Sequence, residues 1–294
     1  MDTPTAEQFE ALSGAYERYR KEFTDKSYAL PHPNPDSYTL AELTDLANKL
    51  DVLHFESASL CMCEASAYAS DWLHSTPAFQ MALKALPAYT PVKSFAKKFE
   101  NALIARYERR PARPTMILWW LPENAGHYLR FISGVALICH NYLTGKSVRA
   151  ALSGPETINR MNKLLGELKQ LSASDWITDS DQRSLFRHIE RLEKLANVDL
   201  RASKPASTRN DPDLASRLMA GELIRLHKYH FGAPHKRAVF QLMGLPFIDR
   251  PLEMRTIERL IKAKKRPAPA NQSDSDTKPS ISAELLTTED QLTS

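Results

Sequence analysis

Arg255, Arg259, Lys262 and Arg266 follow one another at spacings of four, three and four residues. On a helix of about 3.6 residues per turn they form one cationic row. Met254, Ile257, Leu260 and Ile261 take the opposite face of the same segment. A helix divided in this way fits the major groove of DNA, where Arg and Lys reach phosphates or guanine edges. Thr256 offers a hydroxyl to a phosphate or base edge, and Lys236 and Arg237, at the start of the preceding short helix, are placed to hold phosphates. The chemistry these residues serve is non-covalent neutralisation of a polyanion. The competing reading is a solvated outer face, with Glu253 and Glu258 diluting its charge.

Other residues suited to chemistry are scattered. His227, His230 and His235 have the spacing His-x2-His-x4-His, and the first two lie one helical turn apart. A structural zinc site wants a fourth ligand and usually thiolates, and no cysteine falls in this part of the chain. Cys61 and Cys63 flank Met62, which is not the Cys-x2-Cys spacing, and lie in an Ala/Ser-rich segment read as helix. Cys139, before His140, closes an apolar helix. All three thiols read as small core residues, and no metal or cofactor is expected. Nucleophile elbows, phosphate loops, dinucleotide fingerprints and His-Glu-x-x-His are all missing from the sequence. Asp179 and Asp181 follow Thr178 and open a helix, where acids complement the dipole. Glu123, Asn124 and His127 beside Trp119 and Trp120 are the one grouping an unfamiliar enzyme would use, and it would need a deep pocket.

Charge supports the first reading. The 294 residues carry a net charge of +4, but residues 225–266 contain eleven Lys/Arg and three acids, an excess of eight. Residues 267–294 carry −4, with one Lys against five acids, and the remainder is near neutral. Such concentration suggests a polyanion partner. A second basic group, Lys93, Lys97, Lys98, Arg106, Arg109, Arg110 and Arg113, sits largely at a helix C-terminus, where cations complement the dipole. Three cysteines suggest a reducing compartment. The N-terminus lacks the features of a secretory signal. The most apolar stretch, residues 116–139, is broken by Pro122, Glu123, His127 and Arg130, so no membrane partner is expected. The expected location is the cytoplasm.

The elements that must position these residues are helices. Phe9, Leu12, Tyr16, Tyr19 and Phe23 recur at helical steps over residues 5–26. Thr39 can cap a helix carrying Leu43, Leu46 and Leu50. A cap-capable residue or Gly precedes Pro at Thr76-Pro77, Thr90-Pro91, Gly154-Pro155 and Asp211-Pro212, each read as a helix start. Ile158, Met161, Leu164, Leu165, Leu168 and Leu171 define the apolar side of one helix, and Leu185, Phe186, Ile189 and Leu192 that of the next. Residues 115–121 are the one candidate strand or extended connector, and a lone run makes no sheet.

The chain is therefore read as all-α. A multi-helix domain spans residues 1–198, a polar linker 199–211, a basic helix-turn-helix-like module 212–266, and a disordered acidic tail 267–294. Its expected role is that of a non-enzymatic nucleic-acid-binding, DNA-preferring regulator or accessory factor. The tail would compete for the basic face. The alternative is a helical assembly protein that pairs with another protein or with itself, marked by a contiguous exposed apolar patch.

Overall fold

The computed structural model describes residues 1–87, 93–108, 125–172, 178–196 and 211–263. All regular structure among these residues is α-helical. Twelve helices follow in order: α1 (Ala6–Ser13), α2 (Ala15–Tyr28), α3 (Leu40–Leu60), α4 (Glu64–Ser75), α5 (Pro77–Lys84), α6 (Ala96–Glu108), α7 (His127–Leu143), α8 (Lys146–Ser172), α9 (Asp179–Ala196), α10 (Leu214–Phe231), α11 (Lys236–Leu242) and α12 (Met254–Ala263). None of them is long and apolar enough to cross a membrane.

Local signals set several boundaries. Thr39 opens α3 with a capping box: its hydroxyl accepts from the Glu42 amide at 3.2 Å, and the Glu42 carboxylate accepts from the Thr39 amide at 2.6 Å. Thr5 and Gln8 do the same for α1. Pro77 is the first residue of α5. Gly232 ends α10 at φ +70°, a left-handed conformation that glycine adopts without penalty.

Four expectations need correction. The helix expected over residues 5–26 breaks at Gly14 into α1 and α2. Arg18 occupies the space a Gly14 Cβ would approach to 2.9 Å, and its guanidinium donates to the carbonyls of Ala11 at 2.8 Å and Cys61 at 3.0 Å. Cys61 and Cys63 are not within a helix. They end α3 and precede α4, with Cys61 buried and Cys63 exposed. Gly154-Pro155 starts nothing, because α8 runs through it for 27 residues. And Leu164, Leu168 and Leu171 face outward rather than into the core. Residues 115–121, most of the linker, and the tail lie outside the described residues.

Burial explains the assembly. One hydrophobic cluster joins Phe9 and Leu12 of α1, Tyr19 and Phe23 of α2, Leu46 and Leu50 of α3, Phe79 of α5, Phe99 of α6 and Phe131 of α7. It also takes in Leu223 and Ile224 of α10, Val239 and Leu242 of α11, and Ile257 of α12. Helix α1 packs on α4 and α7, α3 on α6, α10 on α7, and α11 on α5. The C-terminal helices therefore share their core with the N-terminal ones. Helices α8 and α9 pack on each other around a second, small cluster of Leu165 and Ile189 with Met161 and Leu185.

Candidate nucleic-acid interface

Helix α12 is held from within. Ile257 is fully buried, and Leu260 and Ile261 pack against the main core. The approach to the helix is anchored too, since Met243, Leu245, Ile248 and Leu252 are all buried. These anchors fix which face looks outward. Arg255, Arg259 and Lys262 are exposed on it, and Thr256 is half-buried. Arg237 is exposed on α11. Arg266 lies outside the described residues.

Lys236 is exposed as well, but its ammonium is engaged: Nζ lies 2.6 Å from Oε1 of Glu258 on α12. That hydrogen bond, followed by the Lys236 and Lys262 charges, holds the Glu258 carboxyl below the ordinary range. Arg250 stands 3.6 Å from Asp213 across an exposed gap. Eleven residues, 243–253, separate α11 from α12, against three or four in a helix-turn-helix connection. The outline of short helix and basic helix is present, with a longer joint between them.

His227, His230 and His235 do not converge on one point. His227 is fully buried, with Nδ1 3.3 Å from the Pro234 carbonyl. His230 turns Nδ1 to Nε2 of His127 on α7, at 3.3 Å. His235 adopts φ +38° at the start of α11, its ring 6.2 Å from that of His227 and 5.4 Å from that of Phe231. Burial pushes His227 and His230 down to about 4, and lowers His127 as well. His227 and His230 are thus kept uncharged near neutral pH and pack with Phe131 between α7 and α10. Among the described residues no group of three His, Cys, Asp or Glu could hold a metal ion. His127 joins this unit although 103 residues separate it from His230. No local pattern could have announced that contact.

The second basic group is partly spent on its own helix. Lys97 ion-pairs with Glu100, and Lys98 sits 5.2 Å above the Phe95 ring. Arg109, Arg110 and Arg113 lie outside the described residues, as do Trp119, Trp120 and Glu123 of the grouping considered for catalysis. A shallow apolar groove of about 300 Å³ runs between α5 and α11, lined by Pro77, Met81, Phe240, Pro246 and Leu252. Among the described residues its lining carries no ionisable side chain.

What the arrangement can do is present exposed cations on a helix whose inner face is buried. No protein family, curated protein or solved structure matches this chain.

Proposed function

We propose that the protein binds double-stranded DNA without chemistry, as a regulator or accessory factor, through the outer face of α12. The observation that supports this most is the exposure of Arg255, Arg259 and Lys262 on a helix whose inner face is fixed by Ile257. A surface of that kind attracts phosphates from any sequence, and Thr256 adds a short polar contact between the cations. Arg237, exposed on α11, would add a further cation. Lys236 contributes once it leaves Glu258, and Arg266, outside the described residues, belongs to the same proposed contact set.

Binding of the purified protein to mixed-sequence duplex DNA across a salt series tests the reading. Each neutralised phosphate releases counterions and contributes about −0.9 to the slope of log affinity against log salt. A steep fall supports the proposal. Absence of binding at low salt ends it.

A second reading, assembly through protein contacts with no nucleic acid, is favoured by the row of exposed leucines on α8. Loss of the DNA reading would leave this one standing.

A further inference from the structure

Helices α5 and α11 pack on each other and bury Phe79, Ala82, Val239 and Leu242 in the main core. Their outer sides are apolar as well. Met81 is 45% and Phe240 37% exposed, and with Pro77, Pro246 and Leu252 they line the groove of about 300 Å³. That is about twice the ~150 Å³ of a cavity that accepts a benzene-sized group, so about two leucine-sized side chains fit. No charged residue lines the groove, but each wall continues into an exposed cation. Arg237 stands three residues before Phe240 on α11, and Lys84 three residues after Met81 on α5, spacings that make helix neighbours. The groove therefore suits apolar side chains accompanied by carboxylates.

The chain itself supplies such a segment. Residues 264–280 contain no large apolar side chain, and Ile281, Leu285 and Leu286 then follow within six residues. Glu284, Glu289 and Asp290 accompany them, and residues 279–294 include no Lys or Arg. The reach also fits. Leu252 lines the groove two residues before α12, and that helix of ten residues is about 15 Å long. A segment returning from Ala263 to the groove must therefore span roughly 15–20 Å. The seventeen residues 264–280 give a mean end-to-end distance of about 20 Å or slightly more. A tether whose length matches its span supplies an effective concentration in the millimolar range, so modest contacts are enough. Another apolar run outside the described residues, 116–121, is a poorer match. It follows Arg109, Arg110 and Arg113, whose charges Arg237 and Lys84 repel.

We propose that residues 281–286 dock in the α5–α11 groove of their own chain. Ile281 and Leu285 fill it beside Met81 and Phe240, and Glu284 faces the cationic rim. The docking does not rest on the DNA reading, since Arg255, Arg259 and Lys262 take no part in it.

The test places a photoreactive benzophenone in the full chain by Leu285→p-benzoylphenylalanine, with no nucleic acid present. Irradiation inserts the probe into neighbouring C–H bonds, those of methionine in preference, and peptide mass spectrometry locates the cross-links. The expected cross-links lie within one chain, on α5 and α11, with Met81 foremost. The same probe introduced by Gln272→p-benzoylphenylalanine measures tethered proximity alone and should label the groove at least tenfold less. Adding Ile281→Asp to the Leu285 probe should cut the groove cross-links at least fivefold. So should Phe240→Glu, with unchanged circular dichroism as the check that the chain still folds. Groove labelling equal from positions 285 and 272 overturns the proposal, as does labelling indifferent to Ile281→Asp. Cross-links between copies, or none at all, overturn it too. Each of these results leaves the DNA titration of the wild-type chain untouched, and failure to bind DNA leaves the cross-link map untouched.

Discussion

Gly134 on α7 faces Leu226 on α10 so closely that a Cβ at position 134 would lie 2.5 Å from Leu226 Cδ1. The close approach lets α10, and with it the approach to α11 and α12, seat on the main core. Gly134→Ala forces Leu226 into another rotamer or the helices apart. Overpacking of this sort costs about 1–3 kcal/mol, so the melting temperature should drop by roughly 2–4 °C for each kcal/mol. A thermal scan showing unchanged or higher stability would mean that Leu226 repacks freely.

Replacing Arg255, Arg259 and Lys262 together by Ala should leave the fold intact, because none of the three is buried. DNA affinity at low salt should fall by at least an order of magnitude. The salt slope should shrink by about 0.9 for each phosphate contact removed. Binding isotherms of this variant beside wild type decide the matter, and equal affinities would exclude α12 as the contact surface.

Glu258→Gln should strengthen binding to DNA. The substitution removes a negative charge from the edge of the basic face and releases Lys236 from its 2.6 Å ion pair. Stability should change little, because water screens so exposed a pair. Competition between wild type and variant for one labelled duplex gives the sign directly. Weaker binding by the variant would show that Lys236 does not serve the interface.

Stability should decline as pH falls from about 6.5 toward 4. His54, His227 and His230 have their pKa pushed down to about 4 by burial, so the folded chain keeps them neutral in that interval. Unfolded histidines titrate near 6.5 and take up protons there. The unfolded state therefore binds more protons, and protonation favours it. Above about 6.5 these groups contribute no slope. Exposed carboxylates with lowered pKa, such as Glu42 and Glu258, add losses as pH falls through the ordinary carboxylate value near 4.5 and below. Denaturant midpoints measured at half-unit pH steps would reveal the window, and His230→Gln should flatten part of it. A midpoint constant from pH 6.5 to 4 would contradict the burial of these rings.

Much of the helical content was legible because it is written locally. The Thr39–Glu42 capping box, Pro77 as a first helical residue and Gly232 as a left-handed stop each depend on a few neighbouring residues, and backbone hydrogen bonding makes such signals self-contained. The outward row Arg255, Arg259, Lys262 also followed from periodicity, since Ile257 had to point the other way.

Other features depended on which surfaces meet. Periodicity gave α8 an apolar side but could not say that α9 covers Leu165 and leaves Leu164 and Leu168 in water. Gly154-Pro155 looked like a boundary, yet α8 continues through it. Its first turn is tied to α10 by the Ser147 hydroxyl donating to Glu222 at 2.7 Å, and its later turns pack on α9. The sequence alone determined most of the helical segments, their apolar stripes and the concentration of positive charge. The tertiary structure alone decided that Lys236 meets Glu258, that His127 meets His230, and which leucines stay exposed. Helix formation and net charge are sums over neighbouring residues, whereas burial and pairing are set by long-range packing among surfaces far apart in the chain.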